Sequence, residues 1–331
     1  MSEALVEVNH ITKVFRVGSF IIGSKLFAVD DVSFTLKGDQ PTILSIVGES
    51  GSGKTTLARM LLKLIEPTNG NIFMSGRDVF KKSKNWTDRE FRQSLQPIFQ
   101  NPFEAFSIHN TVDSYLYETA INLGIAKNKV EATEIIADML KSIGLDLGLV
   151  RGKYTHQFSG GELQRISVAR AMIPKPKLIV ADEPVSMIDA SMRMNLINLF
   201  LDLKHNFNVS FIYITHDLST AYYVSDFIAI MFRGNIVEYG PSNLVLTNPI
   251  HPYTTLLMEA VPMVGEKWAQ SVELPDLESI EYAATGCKFA ARCKFVKDVC
   301  RSQRPPMFKL GDNRKALCFK PANYELTIRR N

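Results

Sequence analysis

The chain has 331 residues, which the usual domain size of about 100 to 200 residues divides into two structural units. It is 46% hydrophobic and 22% charged, close to the average of globular proteins, and this composition excludes a disordered or fibrous class. Its apolar runs are far shorter than the about 20 residues of a membrane-spanning helix, and the first residues show no secretory signal. A cytoplasmic location is therefore expected.

The net charge of +4 conceals a basic C-terminal segment. Residues 286–331 contain 12 Lys and Arg against 3 Asp and Glu, a net charge of +9, which leaves 26 against 31, or −5, for residues 1–285. Such a segment is either a solvated surface or a contact for an anionic partner, such as lipid headgroups, nucleic acid or a bound anionic centre. All four cysteines lie there too, and without an export signal they favour metal, redox chemistry or buried thiols over a disulfide framework.

The predicted elements begin with strands. Residues 5–8 and 28–36 are β-branched and partly alternating, which predicts an antiparallel N-terminal sheet. An apolar strand over 42–47 is followed by a Gly-rich loop and a helix over 56–64. This succession of strand, loop and helix predicts the first unit of an α/β core.

Further buried strands are predicted over 177–181 and 209–215, on either side of a helix over 191–206. Alternating strands and helices predict a parallel α/β sheet. Residues 111–145 have helical periodicity and are expected to form a helical insert in this core. After about residue 240 the sequence becomes Pro-punctuated, Cys-bearing and basic, which predicts a separate C-terminal module.

The Gly-rich loop matches the phosphate-loop pattern in full, as Gly-Glu-Ser-Gly-Ser-Gly-Lys-Thr between a strand and a helix. In this pattern the backbone N–H groups wrap the phosphates, Lys54 reaches the β- and γ-phosphates, and the Thr55 hydroxyl ligates Mg²⁺. The chain is therefore predicted to bind a nucleoside triphosphate. The predicted ATP-binding residues of this segment are Gly48, Glu49, Ser50, Gly51, Ser52, Gly53, Lys54, Thr55 and Thr56.

Two acids and a histidine follow the other buried strands. Asp182 and Glu183 end the strand over 177–181, where an acid can hold Mg²⁺, directly or through water, and its neighbour can polarise the attacking water. His216 ends the strand over 209–215. A lone histidine is more often a structural residue, so the local sequence alone leaves its role open.

Residues 158–165 read Phe-Ser-Gly-Gly-Glu-Leu-Gln-Arg and resemble the Leu-Ser-Gly-Gly-Gln signature of the ATP-binding cassette (ABC) ATPases. The order of motifs fits this family over residues 1 to about 240. The resemblance implies an α/β fold with a RecA-like parallel sheet, an antiparallel β subdomain and a helical subdomain at about 101–160. It assigns residues 1–240 to the ATPase domain and 241–331 to a C-terminal extension.

The same resemblance implies a role for each matching residue. Phe15 would stack on adenine, and Asp189 would reach the other ATPase subunit. Gln100 would sense the γ-phosphate and contact a membrane partner, and His216 would be the switch histidine. The implied catalytic residues are Glu183, His216 and Gln100. The implied magnesium ligands are Thr55, Gln100 and Asp182, and the implied signature residues, acting on the nucleotide of a facing subunit, are Ser159, Gly160, Gly161 and Glu162.

The signature departs from the family pattern at two positions. Phe158 replaces the usual Leu, an apolar exchange of tolerable volume, and Glu162 replaces the usual Gln. The glutamate places an acid near the nucleotide of the opposing subunit and is expected to weaken that site.

One phosphate loop and one signature are present. Because the family's composite site pairs the loop of one subunit with the signature of another, the resemblance implies a second ATPase, identical or homologous, and excludes a tandem soluble translation factor. Residues 248–257, Asn-Pro-Ile-His-Pro-Tyr-Thr-Thr-Leu-Leu, are similar to the His-Pro-Tyr-Thr stretch of ATPases from dipeptide and oligopeptide importers. By its local chemistry alone this stretch is a helix start, because Pro favours the first turn.

The resemblance therefore implies an ATPase that powers solute import through two separate membrane permease subunits, with an extracytoplasmic solute-binding protein as an indirect partner. Its expected place is the cytoplasmic face of the membrane, as a peripheral subunit. Oligopeptides or dipeptides are the expected cargo, with oligosaccharides as the alternative, and no nucleic acid is expected as a partner. The basic tail keeps open another class, a soluble ABC ATPase that acts on nucleic acid or in metal-cluster assembly.

The cysteines are spaced C-x5-C-x6-C-x17-C, at Cys287, Cys293, Cys300 and Cys318. Zinc ribbons usually contain C-x2-C pairs, which are absent from this sequence, whereas four thiolates with more variable spacing can hold a [4Fe–4S] cluster. Either centre would carry negative charge, which the Lys and Arg residues among the cysteines would offset. The predicted cofactors are thus ATP, Mg²⁺ and a structural [4Fe–4S] cluster, with zinc, buried thiols or two disulfides as alternatives to the cluster.

Overall fold

Two β-sheets organise the chain in the computed structural model, which describes residues 4–17, 24–81, 86–103, 105–260, 278–311 and 313–320. The strands are β1 (Ala4–Val17), β2 (Ser24–Lys37), β3 (Ile43–Val47), β4 (Asn69–Met74), β5 (Arg77–Asp78), β6 (Leu95–Ile98), β7 (Leu178–Asp182), β8 (Ser210–Thr215), β9 (Phe227–Phe232), β10 (Asn235–Pro241), β11 (Met307–Lys309) and β12 (Lys315–Leu317).

Helices connect these strands. They are α1 (Lys54–Leu61), α2 (Asp88–Ser94), α3 (Val112–Asn122), α4 (Lys129–Ser142), α5 (Leu147–Val150), α6 (Gly160–Met172), α7 (Ala190–Phe207), α8 (Leu218–Val224), α9 (Ser242–Thr247), α10 (Pro252–Glu259), α11 (Glu278–Ala283) and α12 (Asp298–Ser302). Within the described residues, none of these helices has the length and apolar character required to cross a membrane.

The first sheet is antiparallel, as the alternating N-terminal sequence predicts. Its strand order is β2-β1-β4-β5. Strands β1 and β2 extend beyond the apolar segments predicted from the sequence, because the polar residues on either side also pair between the two strands. The pairing has several register shifts between Val8 and Val14. Its inner face, with residues such as Val8 and Phe34, packs against one face of the second sheet.

The second sheet contains the predicted parallel core, extended by an antiparallel edge. Its order is β11-β12-β10-β9-β3-β8-β7-β6, and the strands from β9 to β6 run parallel. The predicted strands β3, β7 and β8 are neighbours at its centre. The carboxyl ends of parallel strands meet at one edge, so the loops after these three strands share one crevice.

Both faces of the central strands are buried, which explains their continuous apolar sequences. Ile43 and Phe211 face a core that also includes the helical insert. Leu44 and Ile212 face the core under the antiparallel sheet. The insert contains helices α3 and α4, in agreement with the periodicity of residues 111–145.

The C-terminal region is joined to the parallel sheet. Strand β12 pairs with β10 through Glu238 and Tyr239, and β11 extends the same edge. The predicted helix start at His-Pro-Tyr-Thr is confirmed, since Pro252 occupies the first turn of α10 and the His251 side chain accepts the Tyr253 N–H at 3.1 Å. The predicted boundary at residue 240 thus falls inside a continuous sheet and core, and the domain division stays a prediction.

Candidate functional site

The phosphate loop connects β3 to α1 and lies tightly against neighbouring backbone. Gly53 has φ 103°, and a Cβ atom there would lie 2.1 Å from the carbonyl oxygen of Ala28. A Cβ at Gly48 would lie 2.1 Å from the carbonyl oxygen of Met231. Only glycine fits both positions, because real Cβ atoms do not approach backbone this closely and L-residues rarely adopt positive φ.

Lys54 is the first residue of α1, and its side chain folds back into the loop. Its buried ammonium donates hydrogen bonds to the carbonyl oxygens of Gly48 and Glu49, both at 2.8 Å. Burial lowers the pKa of Lys54, while the charges of Glu183, Asp182 and Glu49 raise it. The Lys54 ammonium thus lies among three carboxylates, where it could pair with the negative charge of a bound triphosphate.

Asp182 and Thr55 form an oxygen-rich position beside this cation. The Asp182 Oδ1 atom is buried and has no hydrogen-bond partner among the described residues. Burial raises the pKa of Asp182, and the neighbouring charge of Glu183 adds to this effect, while a hydrogen bond with Thr55 lowers it. An unsatisfied buried carboxylate oxygen next to a hydroxyl fits Mg²⁺, which prefers oxygen ligands.

Three polar side chains converge at the ends of neighbouring strands. Gln100 Nε2 donates to Glu183 Oε2 at 3.3 Å, and His216 Nδ1 lies 3.2 Å from the same oxygen. These residues follow β6, β7 and β8, which is why positions so distant in sequence meet. Glu183 has φ 46°, and its N–H donates to the Ile214 carbonyl at 2.8 Å, which fixes its carboxylate at the crevice.

The predicted nucleotide site forms a single open cavity of about 1200 Å³. The half-exposed ring of Phe15 lies at its wall, with Lys13 Nζ 5.5 Å from the ring centroid. The predicted residues that line it are Phe15, Gly48, Glu49, Ser50, Gly51, Ser52, Gly53, Lys54, Thr55, Thr56, Gln100, Glu183 and His216.

The signature and Asp189 do not line this cavity. Ser159 caps helix α6, its hydroxyl and N–H donate to Glu162 Oε2 at 2.8 and 2.9 Å, and Gly160 and Gly161 form the first turn. These donations, first from the Ser159 backbone, lower the pKa of Glu162. Asp189 is exposed at the start of α7. Both segments therefore lie outside the cavity of their own chain, and their action on another subunit stays a prediction.

Sequence reasoning missed a buried connector between the signature helix and the residues that it predicts to be catalytic. Gln164, on α6, donates through Nε2 to the carbonyls of Phe99 at 3.3 Å and Pro184 at 2.9 Å. These carbonyls flank Gln100 and Glu183. Gln164 therefore ties the signature helix to both residues, and its position next to the signature was the only available signal.

The cavity also contains residues of the C-terminal region. Leu257, Tyr282 and Ala283 line it, and the Tyr282 hydroxyl donates to the Gly51 carbonyl. No sequence signal identifies these residues, because the contact joins positions 231 residues apart.

A second surface cavity of about 650 Å³ lies beside Gln100, between the parallel core and the helical insert. Phe99 and Leu64 are among its lining residues and are exposed, with fractional exposures of 39% and 59%. Arg170 and Tyr115 also line it. Exposed apolar side chains around a concave surface are typical of a protein-binding site.

The four cysteines surround one small cavity of about 160 Å³, together with His251 and Phe289. All four are free thiols, so the disulfide alternative is not observed. Burial raises the pKa of Cys287 to about 12 and also raises the pKa values of Cys293 and Cys318. Among the described residues no group of three or more His, Cys, Asp or Glu has metal-binding geometry, so neither the predicted [4Fe–4S] cluster nor zinc is supported here.

Two family models match the chain: ABC transporter over residues 29–186, and Oligopeptide/dipeptide transporter, C-terminal region, over residues 237–300. The oligopeptide transport ATP-binding protein AppF of Bacillus subtilis is 34% identical over 323 residues, covering 96% of this chain and 97% of the relative. The oligopeptide transport ATP-binding protein OppF of Haemophilus influenzae is 36% identical over 334 residues, with the same two coverages. A solved dimeric ATP-binding cassette bound to ADP and inorganic phosphate has a TM-score of 0.61 and 22% identity, over 72% of this chain and 98% of that one, which demonstrates a shared fold.

Proposed function

Since the chain belongs to the ABC transporter family, we propose that it is the ATP-hydrolysing subunit of an importer of dipeptides or oligopeptides. The observation that carries this proposal is the convergence of Gln100, Glu183 and His216 at one cavity with a complete phosphate loop. The cargo follows from the names of the relatives and from the match of the C-terminal region.

The residues that line the cavity, together with the neighbouring Asp182, have distinct tasks in hydrolysis. The loop N–H groups and Lys54 bind the β- and γ-phosphates and offset their charge. Thr55 and Asp182 would hold Mg²⁺, which would neutralise developing charge on the phosphates. Glu183 polarises the attacking water, while Gln100 and His216 orient its carboxylate and contact the γ-phosphate region.

The site needs a second ATPase subunit, identical or homologous. Ser159, Gly160 and Gly161 form the start of α6, where N–H groups and the helix dipole attract an anion, yet they are not among the residues that line the cavity of their own chain. In a head-to-tail dimer this helix start would contact the γ-phosphate bound to the facing chain, and Asp189 would cross the same interface.

The membrane partners are two permease subunits at the cytoplasmic face of the membrane, where this chain acts as a peripheral subunit. The cavity beside Gln100 is the proposed docking site, because Phe99 directly precedes Gln100 and lines it. If Gln100 moves when it contacts the γ-phosphate, Phe99 would move with it and would transmit the movement to a permease helix bound in the cavity. A solute-binding protein would deliver the cargo on the other side of the membrane.

Glu183→Gln tests the hydrolytic assignment. The substitution preserves the shape of the side chain but removes the charge that polarises water, so ATP should remain bound and a dimer should accumulate on gel filtration. Lys54→Ala should instead abolish binding of a fluorescent ATP analogue. Undiminished turnover by the first variant or normal nucleotide binding by the second would overturn the respective assignment.

The cargo is tested in proteoliposomes that contain the complete importer. Dipeptides and oligopeptides presented with the binding protein should stimulate ATP hydrolysis, whereas disaccharides should not. Stimulation by sugars alone would favour the oligosaccharide alternative, and stimulation by nucleic acid without permeases would favour a soluble ATPase of another class.

We further propose that the four cysteines hold a structural [4Fe–4S] cluster, with zinc as the alternative. Support comes from four free thiols around one cavity and from two cations that line the same cavity, Lys297 and Lys320. Anaerobic purification followed by iron, sulfide and zinc analysis tests it. A brown protein that absorbs near about 400 nm supports the cluster, and metal-free protein with four titratable thiols refutes both metals.

A further inference from the structure

Three residues of the C-terminal extension form hydrogen bonds with the phosphate loop. Arg292 donates through Nη1 and Nη2 to the two carboxylate oxygens of Glu49, at 3.1 and 3.0 Å. The Glu49 N–H donates to the Tyr253 hydroxyl at 3.0 Å. The Tyr282 hydroxyl donates to the carbonyl of Gly51. The conformation of the loop is thus set in part by residues from outside the motif.

Arg292 is itself held in place by a buried carboxylate. Glu281, 1% exposed, accepts from Arg292 Nε at 2.7 Å and from Arg233 Nε at 2.8 Å. The residue after Arg233, Gly234, donates its N–H to the carbonyl of Ser52 in the loop at 2.8 Å. A carboxylate paired to two guanidinium groups is well satisfied in a buried setting, so the pairing fixes Arg292 against the loop.

The negative charge of Glu49 would repel a bound triphosphate. Its carboxylate is one-third exposed, and Glu49 lines the nucleotide cavity. Its charge acts on the Lys54 ammonium, whose pKa it raises. A carboxylate that lines the cavity repels phosphate unless a cation neutralises it. Arg292 supplies this cation through its two hydrogen bonds to the Glu49 carboxylate.

Resting on the proposed ATP site, we propose that Arg292 and Tyr282 are positioning residues for nucleotide binding. Arg292 neutralises Glu49, and Tyr282 restrains the Gly51 carbonyl, so that the C-terminal extension sets the affinity of the phosphate loop for ATP. Neither residue contacts Gln100, Glu183 or His216 in the described contacts, so the turnover number of the bound complex is independent of them.

The decisive experiment compares single and double variants of the full-length chain. Arg292→Gln should weaken binding of a fluorescent ATP analogue about tenfold, equivalent to about 1.4 kcal/mol, and should raise KM for ATP while kcat is preserved. Glu49→Gln in the same chain removes the uncompensated charge and should restore affinity to within about threefold of the parent. Arg292→Lys, which preserves the charge but not the two-point geometry, should lie between them.

Controls separate this role from a structural one. Arg304 belongs to the same extension but pairs with Asp30 and Asp31 instead of a carboxylate of the loop, so Arg304→Gln should leave KM unchanged. Tyr282→Phe should weaken binding about threefold through loss of one hydrogen bond. If Arg292→Gln does not fold, Arg292→Lys and Tyr282→Phe carry the test.

A double variant as weak as Arg292→Gln alone would show that Arg292 acts through packing and would overturn the proposal. Parental affinity in Arg292→Gln, or in both Arg292→Lys and Tyr282→Phe, would do the same. Failure of the unmodified chain to bind ATP would instead refute the proposed function, so the two failures are distinguishable.

Discussion

His251 should make the stability of the protein sensitive to mild acid. Its side chain is fully buried and accepts the Tyr253 N–H at the start of α10, which requires the neutral imidazole. Burial lowers the pKa of His251 to about 3, and the nearby charge of Lys320 contributes to the decrease. Histidine in the unfolded chain has a pKa of about 6.5. Below this pH the unfolded chain therefore binds a proton at His251 that the folded chain does not bind.

The sign and size of the effect follow from this difference. A group whose folded pKa is depressed contributes its full stability above the unfolded pKa, and that contribution falls as the pH drops. The loss is about 1.4 kcal/mol per pH unit below about 6.5, or about 2 kcal/mol at about pH 5. This value holds for any folded pKa well below 5, so it does not depend on the exact depression.

His251→Asn is the matched variant. Asparagine is a good N-cap residue and can accept the Tyr253 N–H, but it does not titrate. Urea unfolding at about pH 7 and about pH 5 should show the parent losing about 2 kcal/mol more than the variant, because the other titrating groups are common to both. Equal losses in the two proteins would refute a neutral buried His251.

Three further outcomes concern the site. Glu162→Gln frees the Ser159 hydroxyl from a carboxylate and removes a charge from the signature, so ATP-driven dimerisation, followed by gel filtration, should occur at lower protein concentration. Gln164→Leu leaves the carbonyls of Phe99 and Pro184 without their donor and should reduce kcat about tenfold or more, with little change in KM. Asp182→Asn should raise the Mg²⁺ concentration needed for half-maximal ATPase activity; an unchanged requirement would argue against Asp182 as a ligand.

The parts of this structure that the sequence predicted are those fixed by local chemistry. The phosphate loop needs glycine where backbone approaches backbone, and Glu183 and His216 each follow a continuous apolar strand. Such strands lie side by side in a parallel sheet, with their carboxyl ends at one edge. The residues that follow them could therefore be assigned to a common site from the sequence alone.

The parts that could not be predicted depend on distant pairings. Strands β11 and β12 contain three residues each and exist because they extend the edge of β10. Arg292 meets Glu49 across 243 residues of sequence, and neither has a local pattern that identifies the other. The cysteine spacing predicted a common site, but spacing does not determine whether four thiols reach metal-ligating distances.

The predicted boundary at residue 240 leads to a final prediction. Tyr253 and Phe289, 0% and 2% exposed, pack on Phe232 with ring centroids 4.5 and 5.5 Å from its own. They belong to a core that includes Val47, the residue before the phosphate loop. Truncation after residue 240 would uncover this core at a cost of about 3 to 5 kcal/mol for each large aromatic side chain lost.

A chain of residues 1–240 should therefore be insoluble, or fold without binding ATP, since it also lacks Tyr253, Tyr282 and Arg292 at the loop. A chain that ends at residue 320 retains every contact described above and is the matched control, with ATP affinity equal to that of the full chain. Soluble expression and parental ATP affinity of residues 1–240 would establish an independent ATPase domain. That outcome would contradict the view that the C-terminal extension completes the nucleotide site.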